Sequence, residues 1–330
     1  MSFETVDSRL FFSRHDAQDP RLGDYVRRDL ITPTPSALEK ALRAESVRSF
    51  VIAGYPDDEG IQINGGRLGA ALAPDSVRKP LYKMTPPLFP SSTSADDQKF
   101  SIIDLGNLKT SSFALGDRHS EVTEFGKVSL NAGATWIGIG GGHDYGFPDA
   151  AAYIQWAKAH GERPLVLNFD AHLDVRPVSK GLSSGTPFFR MLEAYPEVDF
   201  AEIGIQGHCN SRTHLEWAKS RGARILTQEQ VMVSGESFTT HVMRLLGDWI
   251  LKSRSVFLSI DIDGFSSAIA PGCSQSWATG FSAQDFFPCL DVLTSRLDVR
   301  MLGIYEVSPP LDSDDRTSKL AAQIVHKVLA

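Results

Sequence analysis

The chain has 330 residues, of which 42% are hydrophobic and 22% are charged, a balance that is ordinary for a globular protein and excludes a wholly disordered one. Its 33 basic and 40 acidic residues give a net charge of −7, which disfavours binding to nucleic acids or to anionic membranes. The sequence contains no run of about 18 apolar residues, so no membrane span is predicted. The first residues do not resemble a signal peptide. Three widely spaced cysteines favour reduced thiols in the cytoplasm.

Short apolar segments rich in β-formers recur along the chain, and helical patterns separate most of them. Strands are predicted at residues 49–53, 100–105, 135–139, 164–169, 200–206, 223–226, 255–262 and 299–305. Helices are predicted at residues 150–160, 211–222, 236–252, 282–297 and 317–329, with Ser282 and Asp285 forming an N-terminal cap of the fourth. The proline- and serine-rich stretch 86–94 is predicted to be a surface loop.

The predicted interior strands are apolar throughout, which is typical of a parallel sheet covered by helices on both faces. We therefore predict an α/β fold, with one three-layer α/β/α domain over residues 1–330 and a central, mostly parallel sheet of about eight strands. Residues 1–45 are predicted to be an N-terminal extension packed on this domain. In such sheets ligands bind beyond the carboxyl ends of the strands, so polar residues at those ends are the first candidates for a functional site.

Three predicted strand ends carry an unusual number of such residues. They read Gly141-Gly142-His143-Asp144, Asp170-Ala171-His172-Leu173-Asp174 and Asp261-Ile262-Asp263. Alternate side chains of an extended segment point the same way, so Asp170, His172 and Asp174 share one side, as do Asp261 and Asp263. Clustered carboxylates repel each other and are costly to desolvate unless a cation lies among them.

Carboxylate and imidazole ligands without thiolates suit Mn²⁺, with Zn²⁺, Ni²⁺ and Fe²⁺ as alternatives. Six ligands are more than one ion needs beside water, so the residues favour two ions that share bridging carboxylates.

Each motif taken alone also has an interpretation that involves no metal site. A lone His143 is most often a capping or core histidine, and a single Asp-x-Asp at a strand end is weak evidence. The glycines at 138, 140, 141 and 142 suggest a dinucleotide-binding turn, but His143 stands where that motif needs its last glycine. Chance occurrence of the whole set at three strand ends is a poor explanation.

Together the three motifs resemble the signatures of the ureohydrolase superfamily, which contains arginases, agmatinases and formimidoylglutamases. Residues 64–70 and 73–78 are similar to the N-terminal segment of that family, and residues 305–309 and 317–322 to its closing strand and helix. The resemblance covers residues 50–329 and implies an arginase-like fold and a metal-dependent hydrolase that acts on C–N bonds of linear amidines.

The resemblance also implies a ligand set for two Mn²⁺ ions per subunit. His143, Asp170, Asp174 and Asp261 would hold one ion. Asp170, His172, Asp261 and Asp263 would hold the other. Every ligand of the family is present, which argues against a metal-free relative.

Among the branches of the family, the segments after the second motif look most like formimidoylglutamase. The Asp-x-Arg of Asp174 and Arg176 precedes Ser184 in a Ser-Gly-Thr-Pro-Phe run, and Phe188 lies near the place where arginases carry a shuttle histidine. Arg176 is suited to pair with a substrate carboxylate, unless it forms a structural ion pair. Asn210 and Arg212 are weaker candidates for binding the same carboxylate, and for Arg212 an exposed position on the predicted helix 211–222 is favoured instead. Ser184 is a candidate for a further hydrogen bond to the substrate.

The family position of Glu306 implies that it pairs with the formimino nitrogens, and its alternative is a buried partner for a structural arginine. In the expected mechanism Asp174 takes a proton from the attacking hydroxide and delivers it to the leaving amine. The products would be L-glutamate and formamide, in histidine degradation. Another ureohydrolase activity and a catalytically silent, metal-binding oligomer remain open. The expected partners are a small-molecule substrate and further copies of the chain, since the family forms homo-oligomers.

Overall fold

A computed structural model describes residues 3–27, 33–88, 100–111 and 113–330. The predicted surface loop at 86–94 therefore lies outside the described residues beyond residue 88. The strands are β1 Phe3–Glu4, β2 Val26–Arg27, β3 Arg48–Gly54, β4 Phe100–Leu108, β5 Thr135–Ile139, β6 Leu165–Phe169, β7 Asp199–Ile205, β8 Arg224–Thr227, β9 Ser255–Asp261 and β10 Asp298–Tyr305.

All ten strands belong to one sheet, in the order β1-β4-β3-β5-β10-β9-β6-β7-β8, with β2 also paired to β4. The eight predicted strands are confirmed as β3 to β10, and each neighbouring pair among them is parallel. The sequence analysis missed β1, which is antiparallel to β4, and β2, which is parallel to it. Each has two residues, too few to show an alternating pattern.

The helices are α1 Pro35–Arg43, α2 Glu59–Asn64, α3 Ala73–Leu81, α4 Leu115–Asn131, α5 Gly146–Ala159, α6 Pro187–Ala194, α7 Arg212–Ser220, α8 Gln228–Ser234, α9 Phe238–Leu246, α10 Trp249–Lys252, α11 Ala283–Thr294 and α12 Arg316–Val328. Four predicted helices are confirmed as α5, α7, α11 and α12, and Ser282 and Asp285 form the predicted cap of α11. The prediction of one helix over 236–252 is wrong. Gly247 has φ of +52°, which α-helical backbone cannot contain, and it separates α9 from α10.

The sheet is buried on both faces, and a separate apolar cluster covers each face. One cluster joins alternate strand residues to α3, α8, α9, α10, α11 and α12. The other joins the remaining strand residues to α1, α4, α5, α6 and α7. This is the predicted three-layer α/β/α architecture, and it explains why the central strands are apolar at consecutive positions.

Because the eight central strands are parallel, their carboxyl ends all lie along one edge of the sheet. The segments that follow β5, β6, β9 and β10 meet at the middle of this edge, since these four strands are adjacent in the sheet. The predicted functional residues lie in those segments. Within the described residues, no helix is both long enough and apolar enough to cross a bilayer.

Candidate metal centre and cavity

The six predicted metal ligands come together at the carboxyl edge of the sheet. His143 follows β5, the three residues of the second motif follow β6, and Asp261 and Asp263 end and follow β9. Their ligand atoms form two groups, each compact enough to surround one ion. The first group contains His143, Asp170, Asp174 and Asp261, and the second contains Asp170, His172 and Asp263.

In the first group three carboxylate oxygens surround one imidazole nitrogen. His143 Nδ1 lies 3.2 Å from Asp170 Oδ2, 3.0 Å from Asp174 Oδ2 and 3.1 Å from Asp261 Oδ2. None of the three oxygens is aligned for a hydrogen bond with Nδ1, which is buried and has no other partner among the described residues. The four atoms converge on a common point instead of pairing with each other, as the ligands of a cation do.

A second contact of the His143 ring is compatible with the form that a metal requires. Its Nε2 lies 2.9 Å from Ser259 Oγ on β9. When Nε2–H donates to this hydroxyl, the lone pair of Nδ1 is directed at the three carboxylates. Three carboxylates and an imidazole lone pair that converge in a buried site suit a divalent cation, so the donor set of this chain fits one.

Asp170 links the first group to the second. Its Oδ1 accepts a 2.6 Å hydrogen bond from the backbone N–H of His172 and lies 3.6 Å from His172 Nδ1. Asp263 Oδ2 lies 3.0 Å from the same imidazole nitrogen. Asp261 is outside the second group, and its Oδ1 accepts from the N–H of Asp263 at 2.9 Å. The bridging role expected of Asp261 therefore stays a prediction, whereas Asp170 faces both groups.

The electrostatics show how much the buried carboxylates need a counter-charge. Burial raises the pKa of Asp261 well above its usual value, and the charges of Asp263 and Asp170 raise it further. Burial also raises the pKa of Asp174, with Asp170 as the next cause. Burial on its own lowers the pKa of His143, but its contacts with Asp170, Asp174 and Asp261 outweigh burial and raise it well above normal. A cation between these groups would relieve the same repulsion.

Two non-glycine residues at this edge have left-handed backbone, Asp174 with φ of 46° and Glu306 with φ of 64°. Such backbone costs free energy and persists where the surrounding structure holds it, often at functional sites. Glu306 follows β10, and its Oε1 accepts a 3.1 Å hydrogen bond from the N–H of His143. Burial raises the pKa of Glu306 to about 8. No arginine described in the structure pairs with it, which removes the structural alternative for this residue.

The glycines before His143 have a packing explanation. A Cβ at Gly141 would lie 2.0 Å from the carbonyl oxygen of Asp57, and one at Gly142 would lie 2.5 Å from Asp144 Oδ1. Only glycine allows this close approach of the loop to its neighbours. The run therefore serves the placement of His143 and supports the rejection of a dinucleotide-binding turn.

The two groups open into a cavity of about 260 Å³. Among the predicted substrate-binding residues, it is lined by Arg176, Ser184, Asn210 and Glu306. The Arg176 side chain has no hydrogen bond or ion pair with the described residues, so the alternative of a structural ion pair is not supported. Ser184 Oγ accepts a 3.0 Å hydrogen bond from Asn64 Nδ2, which leaves its own proton free to donate into the cavity.

Asn210 lines the cavity with its amide bound to backbone groups, whereas Arg212 has the helical position outside the cavity that the sequence favoured. The Asn210 amide holds the loop after β6, because it accepts from Leu173 N–H at 2.9 Å and donates to the carbonyls of Ala171 and Gln206 at 2.8 Å each. Arg212 does not line the cavity. It is the first residue of α7 and borders a separate surface depression beside Lys219, so the structure does not support its predicted contact with substrate.

Several cavity residues escaped the sequence analysis. They are Ile61, Asn64, Gly65, Gly66, Cys209, His214, Ser274, Gln275 and Trp277. They come from α2 and the turn after it, from the segment between β7 and α7, from α7 itself and from the loop between β9 and α11, which are far apart in the chain. Residues 64–66 lie in the segment that resembles the N-terminal part of the family, but no local pattern assigns any of these residues to a site, since they carry neither clustered charges nor a spacing typical of a ligand set.

Comparison with known proteins gives consistent matches. The model of a family described as the arginase family matches residues 48–330. A formimidoylglutamase of Legionella pneumophila (strain Paris) is 31% identical over 293 residues, which are 86% of this chain and 85% of the relative. A formimidoylglutamase of Aeromonas hydrophila is 28% identical, with 99% of each chain covered. The crystal structure of Trypanosoma cruzi formiminoglutamase with Mn²⁺ is 26% identical and covers 94% of this chain and 97% of that one, with a TM-score of 0.74.

Proposed function

Since the chain belongs to the arginase family, we propose that it is a formimidoylglutamase, which hydrolyses N-formimino-L-glutamate to L-glutamate and formamide. The relatives of that name, which match most of the chain, support the proposal. The reaction adds water across a C–N bond of a linear amidine and belongs to the breakdown of histidine.

The observation that carries this choice of substrate is the unpaired Arg176 guanidinium in the same cavity as the two acidic groups. A guanidinium binds a carboxylate through two parallel hydrogen bonds. N-formimino-L-glutamate offers two carboxylates for such a contact, arginine offers one and agmatine none. A cation that meets no carboxylate among the described residues is suited to an anionic substrate.

We propose that the two groups would hold two Mn²⁺ ions, and the Mn²⁺ named for the Trypanosoma cruzi structure supports this choice. As the resemblance implies, Asp170 and Asp261 would be ligands in both sets. Bound ions would supply Lewis acidity, which lowers the pKa of water toward neutral.

Two side chains of the cavity would handle the substrate during the reaction. Glu306 lies against His143 and holds the cationic formimino nitrogens, whose charge stabilises its ionised form. Asp174 takes a proton from the attacking water and passes it to the leaving nitrogen of glutamate as the C–N bond breaks. Arg176 holds a carboxylate, and Ser184 donates a further hydrogen bond.

Turnover measurements on the purified chain with added Mn²⁺ test the proposal. We expect hydrolysis of N-formimino-L-glutamate and much slower hydrolysis of arginine, agmatine and guanidino acids. Activity on arginine but not on formiminoglutamate would replace the proposal with another ureohydrolase. No turnover at full metal occupancy would favour a catalytically silent metal-binding protein.

We further propose a cytoplasmic homo-oligomer built from one arginase-like domain over residues 1–330, with residues 1–45 packed on it. The free state of Cys209, Cys273 and Cys289 supports a reducing compartment. The pairing of β1 and β2 with β4 supports the assignment of the N-terminal residues to the same domain. Sedimentation of the metal-loaded protein measures the number of subunits.

A further inference from the structure

A row of polar side chains crosses the sheet directly below the metal groups. In the register of the strands, Ser259 on β9 pairs with Asn168 on β6, and Asn168 pairs with Glu202 on β7. Paired residues of parallel strands point to the same face. All three side chains are fully buried, on the face that is covered by α5 and α6. Polar groups at three neighbouring positions of a buried sheet are unusual and call for a specific role.

Hydrogen bonds join this row to the metal groups. Ser259 contacts His143, and the Asn168 amide donates to two carboxyl groups at once. Its Nδ2 lies 3.1 Å from Asp170 Oδ2 and 2.8 Å from Glu202 Oε2. Asp170 Oδ2 is the oxygen that faces His143 in the first group. Asn168 therefore connects Glu202 to the carboxylate that both groups share.

In the part of the chain that the structure describes, Glu202 has no other partner that explains its position. Its Oε1 is buried with no hydrogen-bond partner, and so is Asn168 Oδ1. No basic residue among those described forms an ion pair with Glu202, and burial, followed by the charge of Asp170, raises its pKa well above the usual value. An apolar residue at this place would avoid the desolvation cost, which is often larger than the gain from such a contact. The hydrogen bond with Asn168 is thus the interaction that accounts for a carboxyl group at residue 202.

We propose that Glu202 is a positioning residue, which orients the Asn168 amide so that Asp170 keeps one oxygen directed at each metal group. Without an acceptor at residue 202, the Asn168 amide is free to rotate away from Asp170 Oδ2. Asp170 then loses the contact that holds this oxygen toward His143. Partners behind metal ligands typically change metal affinity or activity by about 10- to 100-fold when they are removed.

The test measures Mn²⁺ binding to the purified chain by electron paramagnetic resonance of the free ion, without substrate. Glu202→Leu removes the acceptor at similar volume, and we expect the weaker site to lose about 10- to 100-fold in affinity. Glu202→Gln keeps an acceptor oxygen for Asn168, and we expect its affinity to stay close to that of the wild type. Gln228→Leu is the matched control, because Gln228 is also buried with an unpartnered oxygen but lies on α8.

A double variant shows whether Glu202 acts through Asn168. Asn168→Ala alone removes the donor to Asp170, and we expect Glu202→Leu to weaken binding no further in that background. Additive losses in the double variant, wild-type affinity in Glu202→Leu, or a tenfold loss in Glu202→Gln would each overturn the inference. The inference rests on the proposed metal centre, and the outcomes separate the two. A wild-type chain that binds no Mn²⁺ defeats both, whereas normal binding by the wild type and Glu202→Leu defeats only this one.

Discussion

The replacement of Arg176 by alanine tests the proposed substrate most directly. The guanidinium lines the cavity without an ion pair to the described residues, so its removal leaves no partner charge behind in the free protein. A charge-assisted hydrogen bond is worth about 1.5–3 kcal/mol. Arg176 is exposed before substrate binds, so solvent screening weakens its contact with the substrate. We therefore take the contact of two hydrogen bonds to contribute roughly 2–3 kcal/mol in total, which is less than twice the contribution of one such bond. Since each 1.4 kcal/mol corresponds to about tenfold, we expect KM for N-formimino-L-glutamate to rise about 30- to 150-fold.

Steady-state kinetics and elemental analysis on the same preparation provide the measurement. The Mn²⁺ content of Arg176→Ala should equal that of the wild type, because Arg176 belongs to neither metal group. Arg212→Ala is the matched control, an arginine of the neighbouring segment that lies outside the cavity, and its KM should not change. An unaltered KM in Arg176→Ala, with the reaction intact, would refute the role of Arg176 in holding the substrate.

Three further predictions concern the metals and the stability of the chain. Asp263→Ala removes a ligand of the second group only, so elemental analysis should find one bound ion of two and activity should be nearly lost; two tightly bound ions would contradict the ligand set. Arg78 is fully buried, and its guanidinium lies 2.8 and 2.9 Å from the carboxylate oxygens of Asp104. Asp104→Ala removes this carboxylate and should lower the free energy of unfolding, measured in urea, by about 3–5 kcal/mol. The double variant Arg78→Met, Asp104→Leu should recover most of the lost stability. Burial raises the pKa of Asp149 from 3.8 to about 7, so the folded chain holds this proton more tightly than the unfolded chain does. The free energy of unfolding should therefore fall by up to roughly 4 kcal/mol as the pH rises between these two pKa values. Asp149→Asn should remove this part of the pH dependence, and equal pH slopes for both proteins would count against it.

The strands could be predicted because a buried parallel sheet demands continuous apolar segments, and the metal ligands because they directly follow those segments. The longest helix, α4, was missed for a physical reason. It buries Arg118 and His119, so its inward face does not appear apolar in the sequence. Arg118 lies 2.9 Å from Asp57 and His119 lies 2.9 Å from Asp144, and these partners are distant in the chain.

The substrate-binding residues were harder to predict than the ligands. Arg212 and His214 are two positions apart in α7, yet only His214 lines the cavity, because the rotation of a helix about its axis depends on its packing. Glu202 did leave a signal, since it is the one acidic residue inside the otherwise apolar segment 200–205. Its meaning depends on the register with Asn168, which the sequence alone does not give.

The place of β10 in the sheet has a consequence for biosynthesis. This strand, the last in the described chain, lies between β5 and β9. A nascent polypeptide that has left the ribosome only as far as β9 can therefore assemble two half-sheets, β4-β3-β5 and β9-β6-β7-β8, but cannot join them. His143 belongs to the first half and its carboxylate partners to the second. We expect metal uptake to be post-translational, because the ligand set is complete only after β10 has inserted between β5 and β9.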